Sequence, residues 1–236
     1  MEKDSLYLVM PTYNEEENIE NVVVSWYYVL EGKPESSRLL IADSGSTDKT
    51  HEILLNLKKS YPKIEILPTK YKEHGPKVIA LYKAAIEAGA EYIFQTDSDG
   101  QTLPGEFKYF WDMRKDYDGI IGNRVVRGDG KGRAFIEKVV CVMLRWYFHV
   151  KVPDANAPFR LMKSDMVKKY IDRFPEDYKI PNIMLTAYFA YYKDKIAFRE
   201  ITFHPRLLGE NKINVKSIIG HGMKAVGDFR RFKKEM

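Results

Sequence analysis

Short apolar runs alternate with longer amphipathic stretches through the first half of the chain. Leu6 to Met10, Leu39 to Ala42, Ile64 to Leu67, Tyr92 to Thr96 and Gly119 to Gly122 predict strands, and helical spacing predicts helices over about 16–31, 48–60, 76–89 and 106–116. This βαβ rhythm implies a Rossmann-like, mostly parallel sheet flanked by helices. Sheets of that type bind ligands just beyond the carboxyl ends of their strands. Beyond Gly122 the pattern changes: a Gly-rich basic loop spans Arg127 to Arg133, an amphipathic helix Phe135 to His149, a short strand Phe159 to Met162, an aromatic helix Pro181 to Tyr192, a strand Ile196 to Phe203 and a terminal helix Val215 to Phe232. No repeat, low-complexity tract or Pro/Ser linker interrupts it, so one domain over 1–236 is expected, with functional halves of about 1–125 and 126–236.

Composition narrows the class. With 236 residues, 44% hydrophobic and 30% charged, the chain can bury a sizeable core, and wholesale disorder is excluded. Its longest apolar runs, Val139 to Leu144 and Ala187 to Tyr192, fall far short of the roughly 20 residues of a membrane span. One cysteine, Cys141, cannot form an internal disulfide, which favours a reducing, cytoplasmic setting. The net charge of +5 resides at the C-terminal end, where eight Lys or Arg face three Asp or Glu from Ile201 onward. Such an end attracts phosphates or an anionic membrane surface, or is simply solvated. No zinc pattern, RNA-reading aromatic motif or basic stripe points to nucleic acid.

Three strand exits carry candidate chemistry. The first reads Pro11-Thr12-Tyr13-Asn14-Glu15-Glu16-Glu17-Asn18. Asn14 and Glu17 fit a capping box, while the proline and the aromatic ring can flank a flat base or sugar. The second, Asp43-Ser44-Gly45-Ser46-Thr47-Asp48, puts a carboxylate where a nucleobase N–H or a ribose hydroxyl can donate to it, with Ser46 or Thr47 as a helix cap. The fourth strand delivers Asp97-Ser98-Asp99-Gly100-Gln101. Two carboxylates so close repel unless a cation or proton compensates, and hard oxygen ligands suit magnesium or manganese. Asp116-Tyr117-Asp118 has the same pattern but lies where a helix gives way to a strand, away from these exits.

Together these three segments resemble family 2 glycosyltransferases, most closely the dolichol-phosphate mannose synthase-like group of polyprenyl-phosphate glycosyltransferases. The resemblance is specific over about residues 5–125 and traceable to about Lys212. It implies a GT-A fold, a nucleotide-sugar donor such as GDP-mannose or UDP-glucose, a divalent metal (Mg or Mn) and inversion at the anomeric carbon. By the same resemblance Pro11, Tyr13 and Glu15 frame the nucleoside, Asp43 holds its base, and Asp97, Asp99 and Gln101 contact the metal that bridges the donor diphosphate.

The second half supplies the acceptor side. Arg124 after the fifth strand and Arg133 in the Gly-rich loop are expected to neutralise phosphate, with the loop as a closing lid. Asp154-Ala155-Asn156-Ala157-Pro158-Phe159-Arg160 resembles the family's Asp-x-x-Ser-Gly-Phe-Arg segment, with Pro158 in the glycine position. Asp154 is the candidate base or acceptor ligand, so Asp99, Asp154, Arg124 and Arg133 form the expected catalytic set, and Arg160 joins the phosphate and acceptor residues. Arg206 and Lys212, in a segment like Arg-x-x-Gly-x-Ser-Lys, address phosphate; His204 is set aside as structural. Asn182 stands where related enzymes show a carboxylate. Without a clear base, a polyprenyl phosphate, already anionic, is favoured over a hydroxyl acceptor, although Glu176 or Asp177 also offers a carboxylate.

Two apolar stripes each leave a choice between core packing and peripheral membrane contact. One runs through Val215, Ile218, Ile219, Met223, Val226, Phe229 and Phe232, the other through Phe135, Val139, Val142, Met143, Trp146 and Val150. The expected activity is transfer of a hexose to a polyprenyl phosphate at the inner membrane face. The alternatives are transfer to a saccharide hydroxyl and a catalytically silent nucleotide-binding module. A sugar nucleotidyltransferase is disfavoured because no glycine precedes Gly32.

Overall fold

Seven strands pair into one sheet in the computed structural model, which describes residues 4–128, 130–206 and 227–233. They are β1 (Leu6–Thr12), β2 (Arg38–Asp43), β3 (Ile64–Ile66), β4 (Tyr92–Gln95), β5 (Gly119–Arg127), β6 (Arg160–Lys163) and β7 (Ile196–Phe203), in the order β3-β2-β1-β4-β6-β5-β7. β6 runs antiparallel to β4 and β5, and all other pairs are parallel. All seven residues of β1 are buried, as expected for a central strand covered on both faces.

Alternation along the strands divides the core in two. Leu6, Leu8 and Met10 face one layer with Leu39 and Ile41, under α1 (Ile19–Tyr27), α2 (Thr50–Ser60) and α4 (Phe107–Asp112). Tyr7 and Val9 face the other with Leu40 and Ala42, under α3 (His74–Glu87), α5 (Lys131–Phe148), α6 (Ser164–Ile171) and α7 (Pro181–Tyr191). Among the described residues, no helix is long and apolar enough to cross a membrane.

The chain leaves β1 toward β2 and β3, then crosses back to place β4 on β1's other side. Strand order reverses there, so the carboxyl ends of β1 and β4 diverge into a crevice. The first turn of α3 opens at the same edge, because a helix that follows a parallel strand begins where that strand ends.

Several elements depart from expectation. β5 continues past Gly122 to Arg127, since β7 pairs with it along its whole length through a bulge between Asn123 and Val126. Arg124 therefore lies within a strand. α5 begins at Lys131, inside the expected basic loop, which places Arg133 on a helix. α6, short and flanked by β6, was not anticipated. The second Asp-x-Asp is structural at Asp118, which accepts from Lys163 Nζ at 2.9 Å and from the Lys195 N–H at 3.2 Å. Of the expected terminal helix, residues 227–233 are helical and bury Phe229 and Phe232 against Phe148, Phe174 and Tyr178. The remainder of that stripe lies outside the described residues.

Gly75 fixes how α3 meets the rest of the molecule. A Cβ there would lie 2.3 Å from the Lys179 carbonyl oxygen, a contact that backbone on both sides prevents from relaxing. Gly75→Ala is expected to cost about 1–3 kcal/mol through forced displacement of α3, read as a lower Tm in thermal unfolding; an unchanged Tm would show that the helix moves freely.

Candidate active site at the carboxyl ends of β1 and β4

Backbone-directed side chains stitch the first two strand exits together. Asn14, at φ 51°, accepts from the Thr47 N–H at 2.8 Å, and its own N–H donates to Ser46 Oγ at 3.0 Å. The Glu15 N–H donates to Thr50 Oγ1 at 2.8 Å, and Glu16 Oε2 accepts from the Lys49 N–H at 2.9 Å. Asn14 is therefore a cross-link between loops instead of a helix cap; α1 starts later, after Asn18, with no side-chain cap. Likewise Asp48, not Ser46 or Thr47, accepts from the Thr50 N–H at the start of α2.

The β4 exit locks onto β1 through Ser98 Oγ, which donates to the Pro11 carbonyl at 3.1 Å. Gly100 at φ 73° makes the turn that a side chain would strain. Asp97 and Asp99 then face a cleft of about 570 Å³. Burial, and then repulsion from Asp97, push the Asp99 carboxyl up to about 6, against the Gln101 N–H and Arg206, which favour its charge. His74 Nε2 lies 2.9 Å from Asp97 Oδ1. Desolvation disfavours the imidazolium, yet Asp97, with Asp99 adding, holds the His74 pKa above the ordinary histidine value.

Lys77, one turn further along α3, is 1% exposed yet reaches the cleft wall. Its ammonium donates to the carbonyls of Thr12 at 2.5 Å and Ser44 at 3.1 Å, and sits 5.3 Å from the centre of the Tyr13 ring. Burial lowers its pKa to about 8, with Asp43 and Glu73 opposing the shift. The lysine thereby ties the ends of β1 and β2 together beneath the aromatic ring. Lys72, Arg133 and Arg206 complete the basic side of the cleft, and Arg206 is paired with Glu15.

The cleft thus brings together Pro11, Tyr13, Glu15, Asp97, Asp99, Arg133 and Arg206 from among the expected residues. Others lie elsewhere. Asp43 is buried behind the wall, accepting from Ser46 Oγ at 2.5 Å and lying 3.0 Å from His51 Nδ1. Gln101 is buried, its amide donating to the His204 carbonyl at 2.6 Å, so it does not join Asp97 and Asp99. Arg124 and Asp154 form a buried bidentate pair at 2.7 and 2.8 Å, reinforced by Glu137 at 3.3 Å. Arg160 is fully buried and donates to the carbonyls of Ala155, Ala157 and Asn182. These last three serve the fold, because groups sealed from water and already bonded cannot present themselves to an acceptor. Lys212 lies outside the described residues.

Sequence reasoning missed His74, Lys77 and Lys72. The signal was their place at the start of the helix after β3, whose first turn must open on the same sheet edge as the Asp97 loop. Among the described residues no set of three or more His, Cys, Asp or Glu is arranged to hold a metal; Asp97 and Asp99 offer carboxylate oxygens to a cation at the β4 exit, and Glu15, Glu16, Glu17 and Asp48 also line the cleft.

The model of glycosyl transferase family 2 matches residues 7–180. The undecaprenyl-phosphate mannosyltransferase of Micrococcus luteus is 25% identical over 214 residues, which cover 87% of this chain and 86% of that protein. The dolichol-phosphate mannosyltransferase of Pyrococcus furiosus is 28% identical over 221 residues, covering 89% of this chain and 60% of that protein. Among solved structures, glucosyl-3-phosphoglycerate synthase from Mycobacterium tuberculosis in complex with UDP matches with a TM-score of 0.68 at 14% identity, covering 98% of this chain and 80% of that one. The shared architecture is the GT-A fold.

Two substitutions separate scaffold from cleft. Asp154→Ala removes the bidentate partner of the buried Arg124 charge and is expected to cost about 3–5 kcal/mol in chemical denaturation, whereas Arg133→Ala changes stability by less than about 0.5 kcal/mol. Equal losses would put both residues in the scaffold. For Asp99 the sign is opposite: its ionisation costs the fold increasingly as pH rises from 3.8 toward about 6. Asp99→Asn in metal-free protein at pH 7 is therefore expected to keep or raise the Tm, and a fall would contradict the repulsion.

Proposed function

Because the chain belongs to glycosyl transferase family 2, we propose that it moves a hexose from a nucleoside diphosphate sugar to a polyprenyl phosphate at the cytoplasmic face of a membrane, with inversion at the anomeric carbon. The observation that carries this proposal is the Asp97 and Asp99 pair, whose burial and mutual repulsion raise the Asp99 carboxyl to about 6, in a cleft also lined by Lys72, Arg133 and Arg206. Paired carboxylates of this kind, hard oxygen donors crowded together, fit magnesium or manganese. A divalent cation held by Asp97 and Asp99 would neutralise charge on the departing diphosphate. The solved synthase was also crystallised with Mn2+ and UDP-glucose, in keeping with that assignment.

The chain's own groups do the rest. Pro11 and the Tyr13 ring give the nucleoside an apolar edge, and Lys77 holds that ring's loop in place. Arg133 and Lys72 donate to phosphate oxygens, where negative charge accumulates as the sugar leaves, so their contribution grows toward the transition state. Arg206 exchanges Glu15 for phosphate when the donor enters.

The commitment of candidate bases elsewhere supports an anionic acceptor. Asp154 has both oxygens on Arg124, Glu176 is bonded to Tyr71 away from the cleft, and Asn182 is buried. A hydroxyl nucleophile needs a base within reach; a phosphate monoester is anionic already and needs shielding of its charge, which the basic side of the cleft supplies. The two mannosyltransferase relatives, named for undecaprenyl and dolichol phosphate, support the same class.

The test offers GDP-mannose and UDP-glucose with Mn2+ to polyprenyl phosphate and, separately, to free oligosaccharides, with products read by mass. Product on polyprenyl phosphate is expected, and Asp99→Asn should lower kcat by at least ~100-fold. Product on sugar hydroxyls alone would overturn the acceptor assignment, full activity of Asp99→Asn would overturn the cation site, and nucleotide binding with no product from any pair would mark a silent module.

A further inference from the structure

Helix α5 splits the apolar stripe expected of it. Val150 is buried, Leu144 and Phe148 pack into the core, and Phe135, Val139, Val142 and Trp146 are 68%, 41%, 66% and 74% exposed. Their spacing of four, three and four residues sets these four side chains in one narrow stripe along the helix. Exposed Lys138 and Arg145 lie along one flank. The only acid of the helix, Glu137, is turned inward, accepting from Arg124 and from the Ala155 N–H at 2.8 Å. The outer face of α5 is therefore apolar and cationic, with no anionic side chain.

We infer that this face is a docking surface for an anionic lipid bilayer. Aliphatic and aromatic side chains enter the acyl boundary, the indole of Trp146 settles at the interface, and the two cations meet headgroup phosphates. A second copy of the chain fits worse: facing stripes would bring Lys138 and Arg145 of both copies together without an acid to answer them. The face is also a convex helix surface, which offers no groove to a peptide. Its placement matters for catalysis. Arg133, on the first turn of α5, lines the cleft, so the helix that would rest on the membrane also reaches the phosphate side of the site. That link rests on the polyprenyl-phosphate proposal; the docking surface itself does not.

Sedimentation of the full chain with vesicles of phosphatidylcholine, alone or mixed with phosphatidylglycerol, tests the inference. The wild type is expected to bind the anionic vesicles more tightly than the neutral ones. The double variants Phe135→Ser with Trp146→Ser, and Lys138→Glu with Arg145→Glu, should each bind anionic vesicles at least about tenfold more weakly. Both should keep the wild-type Tm and full transfer to a short, water-soluble isoprenyl phosphate. Variants that bind like the wild type, a wild type that ignores both vesicles, or a wild-type dimer that Trp146→Ser disperses would each overturn it. Vesicle binding lost through these variants with soluble transfer intact supports the surface. If no variant or wild type transfers to any phosphate while vesicle binding follows the expected pattern, the surface stands and the acceptor proposal alone fails.

Discussion

Two carboxylates held two residues apart, where β4 ends beside β1, govern this molecule. Asp97 and Asp99 cannot separate, because Ser98 between them is bonded to the Pro11 carbonyl and Gly100 turns the chain immediately after. Nor can they be fully hydrated, and the outcome is a carboxyl raised to about 6. Much around the cleft responds to that excess of negative charge. His74 is held protonated more readily by Asp97, Arg206 opposes the Asp99 shift, and Lys72 and Arg133 line the same cleft. Such an arrangement costs stability and is retained where a cation and an anionic ligand can relieve it.

The other strongly charged assembly behaves in the opposite way. Arg124, Asp154 and Glu137 satisfy one another beneath the surface, and Arg160 spends its guanidinium on three backbone carbonyls. These groups join β5, the start of α5 and the segment before β6 into one rigid support. Breaking any one of them leaves buried polar or charged groups less fully compensated. Residues of identical type thus divide by environment: an arginine at the cleft can address a substrate, whereas an arginine sealed from water is already committed.

How much of this was legible in sequence depends on the range of the causes. Period-two and helical patterns are local, so the strands of the first half, their parallel arrangement and the three strand exits could be read directly. The Asp97 loop was separable from Asp116-Tyr117-Asp118 by its position at a strand end, and Lys163 and Lys195 account for the latter's Asp118. Burial and pairing across long separations were not legible. Nothing local says that Asp154 lies against Arg124, that Gln101 turns to His204, or that Asp43 meets His51, since each contact is fixed by how distant elements pack. His74 and Lys77 were overlooked for a related reason: their importance comes from the crossover that aims the start of α3 at β4. The stripe on α5 was visible as a pattern, but only packing shows that Phe135, Val139, Val142 and Trp146 are exposed while Val150 is buried.

If the carboxylate pair is a seat for a cation that in turn receives a diphosphate, binding of the two ligands must be mutually dependent. Calorimetric titration of UDP and GDP into the protein with and without Mn2+ measures that coupling directly. At least tenfold tighter binding of one nucleotide in the presence of Mn2+, about 1.4 kcal/mol of coupling, abolished when Asp97 and Asp99 are both changed to Asn, is the expected result. Equal affinity with and without the metal, or coupling that survives loss of both carboxylates, would contradict it.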